Sequence, residues 1–204
     1  MSEVEHAGGR ARNERSTRRD VLAAVSAFGA AGVVPNLLPS PAAAESDRER
    51  PREGDLFVAQ DSKSGSESVV PLKPADIPLG GPPVAAWPYD ASGNVIRKGS
   101  RLNKVLLLRL DPATLEGVTK ERAAEGIVAY SAICPHAGCE VSVWVADQQI
   151  FECSCHYSHF NPREAAAVLH GPAPRGLAAL PLRIVAGNLA VAKPFIGRVG
   201  IVPT

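Results

Sequence analysis

An all-β fold of short antiparallel strands is expected from composition, spacing and apolar content. Aromatic residues make up only 5% of the 204 residues while glycine and proline number 18 each, a composition suited to short strands joined by many turns. From Val69 onward, short apolar runs broken by turn residues recur at a spacing nearer two than 3.6. Apolar residues supply 45% of the chain, enough to bury a core of ordinary domain size. The formal charge of +1, from 22 Lys and Arg against 21 Asp and Glu, leaves no basic footprint, so no nucleic-acid partner is expected.

At the N-terminus, Arg10, Arg12, Arg15, Arg18 and Arg19 precede a charge-free run of small and apolar residues from Val21 to Val34. This is the pattern of an export signal. As a helix the run would span only ~21 Å at ~1.5 Å per residue, short of the ~30 Å hydrocarbon core, so cleavage is expected over retention as an anchor. Pro35 and Pro39 end any helix, and Pro41-Ala42-Ala43-Ala44 offers small residues to a signal peptidase, which places the cut after Ala44. Ser16-Thr17-Arg18-Arg19-Asp20-Val21-Leu22 resembles the twin-arginine signal, with Val21 where Phe is preferred, and implies export of a folded chain to the periplasm. Residues 1–44 are thus read as a cleaved signal. Residues 45–66, rich in Glu, Asp, Arg, Ser and Gly apart from Leu56-Phe57-Val58, read as a flexible arm before a domain over 67–204.

Within that domain the predicted strands are Val69 to Leu72, Lys104 to Leu110, Ile127 to Ala132, Val141 to Val145, Gln149 to Glu152, Leu182 to Ala186 and Leu189 to Ala192. Gly187-Asn188 reads as the hairpin turn between the last two, since both residues tolerate positive φ, and Asp147-Gln148 as a similar turn earlier. Pro78, Pro82, Pro83 and Pro88 argue against a central ladder position, so that stretch reads as an extended loop or edge segment. Asp111 to Arg122 and Pro162 to Leu169 are the candidates for short helical turns.

All four cysteines lie between Cys134 and Cys155, which points to one chemical site. Cys134-Pro135-His136 gives Cys-x-His, Cys153-Ser154-Cys155-His156 gives Cys-x-x-His, and sixteen residues separate His136 from Cys153. Two thiolates and two imidazoles suit a binuclear iron site in which one iron takes both sulfurs and the other both nitrogens. They also suit tetrahedral zinc, although zinc fingers usually pair Cys with Cys and His with His. His159 and His170 fall outside both spacings and are left out of the metal site.

These segments resemble the Rieske [2Fe–2S] family, whose pattern is C-x-H, a gap of about this length, and C-x-x-H. The resemblance implies antiparallel β sheets with a small cluster-binding subdomain, here about residues 130–178, and one [2Fe–2S] cluster. It implies Cys134 and Cys153 on an inner iron, His136 and His156 on an outer iron, and a Cys139–Cys155 disulfide tying the two loops, a bond that persists in an exported compartment. Ser158 matches the serine that hydrogen-bonds the cluster in high-potential members. Phe160 stands where quinol-oxidising members usually carry tyrosine, which implies a potential below theirs. Gly171-Pro172-Ala173-Pro174 resembles the family's proline loop, a cover for the cluster.

Ile127 to Ile133 and His156 to Pro162 further resemble the small subunit of arsenite oxidase. That likeness implies an electron-transfer subunit without catalytic residues of its own, working between a large molybdopterin-containing catalytic subunit and a soluble cytochrome c or cupredoxin acceptor. The alternative branch is the Rieske subunit of a bc1-type quinol:cytochrome c oxidoreductase, with the N-terminal segment kept as a membrane anchor.

Overall fold

Eleven short strands among the described residues form two antiparallel sheets. The structure is a computed structural model that describes residues 46–63 and 69–201; the expected signal over 1–44 lies outside them. In chain order the strands are β1 (Leu56–Ala59), β2 (Val84–Asp90), β3 (Val95–Ile96), β4 (Val105–Arg109), β5 (Ile127–Ser131), β6 (Val143–Val145), β7 (Ile150–Cys153), β8 (Ser158–Asn161), β9 (Ala167–His170), β10 (Leu182–Val185) and β11 (Asn188–Val191). The large sheet has the order β10-β11-β1-β2-β4-β5, with β3 also on β2, and the small sheet is β6-β7-β8-β9. One helix, α1 (Gly117–Arg122), and a 3-10 turn at Pro112–Thr114 lie between β4 and β5, as expected for that stretch.

Strands β4 and β5 are the wall on which both cores rest. They pair from Val105↔Ser131 to Arg109↔Ile127, and their near-continuous apolar sequence reflects burial on both faces. Alternation sends Val105, Leu107, Ile127 and Ala129 into a core shared with β1, β10 and β11. It sends Leu106, Leu108, Val128 and Tyr130 into a second core with Cys134, Phe151, Cys153 and Phe160. Tyr130 completes the junction by donating its hydroxyl proton to the buried Pro162 carbonyl at 2.9 Å.

The flexible arm expected over 45–66 is corrected by β1, which is an inner strand between β11 and β2 with Phe57 and Val58 fully buried. Just before it, Asp55 grips the buried Arg97 guanidinium through two bonds, at 2.6 and 3.1 Å. Arg97 also reaches Glu49 at 2.9 Å and the Ser46 carbonyl at 3.1 Å, which straps residues 46–55 to the sheet. A single apolar triplet hid this strand, because its neighbours come from distant parts of the chain.

The edge or loop reading of the proline-rich stretch also needs correction, since β2 is internal and contains Pro88. The Pro88 carbonyl accepts the Arg97 N–H at 2.8 Å, so the missing donor of Pro88 faces β3 and the ladder to β1 is intact. Val69 to Leu72 is no strand; only Leu72 bonds to the sheet, through Phe57 and Leu189. Pro162 to Leu169 is not helical: Ala165 and Ala166 have φ of 46° and 51°, and the chain then enters β9. The last hairpin turns at Ala186-Gly187, one residue earlier than expected, and β6 begins only at Val143.

Candidate metal centre

Because β6 and β7 run antiparallel, from Val143↔Glu152 to Val145↔Ile150, the loop before β6 and the loop after β7 emerge at the same end of the small sheet. This topology sets the loop of Cys134 and His136 beside the loop of Cys153 and His156. The first loop is closed by an Ile133↔Glu140 bridge, by Cys134 N–H donating to the Cys139 carbonyl at 2.8 Å, and by Gly138 N–H donating to the Cys134 carbonyl at 3.0 Å. Gly138 sits at φ 74°, a backbone state that favours glycine, and its carbonyl accepts from the Arg101 guanidinium. Nothing in the sequence around Arg101 marks it for this role. The second loop is a hairpin turn closed by the Cys153↔Ser158 pair and by Tyr157 N–H donating to the Cys153 carbonyl at 2.9 Å.

Cys139 and Cys155 are joined in a disulfide with Cα atoms 6.6 Å apart, so the two loops are tied to each other. Cys134 and Cys153 are free thiols, each 1% exposed. The Cys153 sulfur lies within 4.8 Å of both disulfide sulfurs, and since those two are bonded, that group of three is no thiolate site by itself. The His136 and His156 rings meet edge to face with centroids 4.5 Å apart; His136 is half-buried and His156 exposed. Buried thiols thus lie on the inside and imidazoles toward solvent.

Does this donor set fit a [2Fe–2S] cluster? Burial pushes the Cys134 thiol up, so it favours the thiolate only when a cation compensates. His136 Nδ1 is buried and has no hydrogen-bond partner, which is unusual for a polar atom unless something else is meant to meet it. Two buried sulfurs and two imidazole rings in contact, one with an orphaned Nδ1, fit the mixed ligation such a cluster takes.

The third side is closed by the Gly171–Pro174 stretch. Gly171 has φ 92°, and a Cβ there would fall 2.6 Å from Ser158 Cα and 2.7 Å from the Tyr157 carbonyl oxygen, so the stretch lies directly on the second loop. Ala173 is buried and donates its N–H to Ser158 Oγ at 3.2 Å, while Gly171, Pro172 and Pro174 are exposed. Phe160, two residues along β8 from Ser158 and on the same face, is fully buried in the core that holds Cys134 and Cys153.

Residues 107–181 match the model of the Rieske [2Fe-2S] domain. Residues 107–181 thus correspond to a Rieske domain. Such a domain binds one [2Fe–2S] cluster, and the all-β fold is that of this domain. Among curated relatives, the Rieske iron-sulfur subunit of the Mycobacterium bovis cytochrome bc1 complex is 31% identical over 147 residues, covering 64% of this chain and 34% of that subunit. A Rieske subunit assigned to a respiratory nitrate reductase in Haloferax mediterranei is 37% identical over 106 residues, covering 51% of this chain and 47% of that one. The chain thus spans about a third to a half of the length of these relatives. Among solved structures, the ferredoxin of carbazole 1,9a-dioxygenase from Nocardioides aromaticivorans gives a TM-score of 0.39 at 20% identity, covering 59% of this chain and 92% of the ferredoxin.

Proposed function

We propose that this Rieske chain is the electron-transfer subunit of an exported oxidoreductase complex, with Cys134 and Cys153 as ligands of the inner iron and His136 and His156 as ligands of the outer one. The observation that carries the reading is the polarity of the site: both thiols are buried, while His156 is exposed beside His136. When bound, the cluster supplies one-electron transfer, at a potential that two neutral imidazoles raise above an all-thiolate site. The chain's own residues do the rest. His156 presents an imidazole edge to a docking partner, the Cys139–Cys155 bridge holds the loops in register, and the Gly171–Pro174 cover excludes water from the third side.

For the partner we propose a large molybdopterin-containing catalytic subunit of the arsenite-oxidase type, with a soluble cytochrome c or cupredoxin as acceptor. Support comes from the likeness of Ile127 to Ile133 and His156 to Pro162 to that branch, and support for export from Arg18-Arg19 before the apolar run. The name of the Mycobacterium bovis relative favours a second reading, a Rieske subunit of a quinol-oxidising complex anchored by residues 21–34. No helix among the described residues is long and apolar enough to cross a membrane.

The test is low-temperature EPR of the dithionite-reduced protein from cell fractions, with its N-terminus sequenced and co-purifying subunits identified by mass. A mixed Cys/His cluster signal on a periplasmic chain starting near Glu45, together with a molybdopterin subunit, is the expected result. The same signal on an uncleaved membrane chain with a cytochrome b overturns the arsenite-oxidase branch. Absence of the signal after reconstitution with iron and sulfide overturns the electron-transfer reading.

A further inference from the structure

Between β3 and β4 the 3-10 turn Arg101–Asn103 is fixed against the first ligand loop. The Asn103 side chain is fully buried and donates to the Glu49 and Arg97 carbonyls at 2.7 and 3.1 Å. Leu102 packs with Ile133 and Val199, and Ile133 directly precedes Cys134. Arg101 therefore projects from an anchored base, and its guanidinium donates to the Gly138 carbonyl. Gly138 lies between His136 and Cys139, and a Cβ built on it would stand 3.0 Å from Arg101 Nη2.

Two cations, Arg101 in the turn and Lys104 directly after it, reach this loop, and they differ in what they meet there. Lys104 is paired with Glu140, the residue after Cys139, so its charge is neutralised on arrival. Arg101 meets a carbonyl and has no carboxylate partner among the described residues. A neutral amide or hydroxyl donor would satisfy that carbonyl equally well. The need for a donor thus accounts for the bond to Gly138; it leaves a full positive charge on the ligand loop without a purpose.

We propose that Arg101 is a positioning residue that holds a fixed positive charge against the loop of Cys134 and His136 and thereby raises the reduction potential of the cluster, a role that rests on the ligand assignment proposed for that loop. On reduction the cluster gains one electron from its donor, and with it one unit of negative charge. A cation held beside the ligands favours that state over the oxidised one. Arg101 is an exposed residue, so bulk ions screen the effect, and it weakens as salt rises.

The test is an EPR-monitored redox titration of the cluster-loaded full chain, comparing wild type with Arg101→Gln, Arg101→Lys and the double variant Lys104→Met/Glu140→Gln. Glutamine offers an amide donor without the charge, lysine keeps the charge, and the double variant removes the second tether at constant net charge. The expected result is a downward shift of the potential in Arg101→Gln, with Arg101→Lys and the double variant close to wild type. That shift should be largest at ~0.01 M salt, where the screening length is about 30 Å, and should nearly vanish at ~1 M, where it is about 3 Å. A wild-type potential in Arg101→Gln, an equal shift in Arg101→Gln and Arg101→Lys, or a shift that salt does not change overturns the role of the Arg101 charge while leaving the cluster in place. Absence of the cluster signal from the wild type overturns the ligand assignment, and the role of Arg101 with it.

Discussion

Ser158 Oγ accepts the Ala173 backbone N–H at 3.2 Å, joining the strand that leaves the second ligand loop to the cover over the site. Both residues are buried, and the serine's own proton has no acceptor among the described residues, which leaves it free to donate to a cluster sulfur. Ser158→Ala should lower the reduction potential in an EPR-monitored redox titration. It should also cost about 1–2 kcal/mol in urea unfolding, since Ala173 loses a buried acceptor. Phe160→Tyr, which adds a hydroxyl in the same core, should raise the potential; an unchanged potential in both variants would show that neither position tunes the cluster.

Gly171 cannot take a side chain without moving the cover. The positive φ and the approach of Ser158 Cα to 2.6 Å from a built Cβ act together, so Gly171→Ala should cost upward of ~2 kcal/mol. Its clearest readout is the rate at which a chelator removes iron from the holoprotein. That rate should rise, and a wild-type rate would mean that this stretch does not shield the site.

The Cys139–Cys155 bridge closes a loop with a sequence separation of 16, for which chain entropy predicts about 3 kcal/mol of stabilisation. The double variant Cys139→Ser/Cys155→Ser should melt at lower temperature by that measure. It should still take up iron, because the four proposed ligands remain. Loss of iron binding at a temperature where the variant is folded would move one of these cysteines into the ligand set.

Tyr130 couples the large sheet to the loop after β8, and burial pushes its phenol up to about 12 from the usual 10. A folded value above the unfolded one means that its contribution is fully present below pH 10 and is lost as pH rises toward 12. Stability of the wild type should therefore fall over that interval by on the order of 2 kcal/mol from this group, and Tyr130→Phe should lack that part of the decline. At neutral pH the same variant should cost about 1–2 kcal/mol, because the Pro162 carbonyl is left buried without its donor.

Asp55 and Arg97 are 5% and 1% exposed, so removing the carboxylate leaves a buried guanidinium with only Glu49 and the more distant Asp90 for charge. Asp55→Asn should cost about 3 kcal/mol in denaturant unfolding. Proteolysis should then cut first within residues 46–55, the segment this pair holds against the sheet. An intact segment at matched stability would show that Glu49 and Asn103 suffice to hold it.

The proposed donor set of the centre and the strands nearest to it are legible from local pattern. Cys134, His136, Cys153 and His156 lie in two short loops, and the bonds that shape each loop, such as Gly138 to Cys134 and Tyr157 to Cys153, are local, so spacing alone makes them legible. Strands β4 and β5 were legible for a related reason: burial on both faces leaves long apolar runs. Features that depend on partners far away in the chain are set only when the sheets assemble. β1 is a strand because β11 and β2 flank it, Pro88 is admitted to an inner strand because its missing donor faces β3, and Arg97 is buried because Asp55 waits for it. His170 shares a face with His159 only through the bulge at Leu169, a register choice made between strands, where no single segment's pattern can announce it.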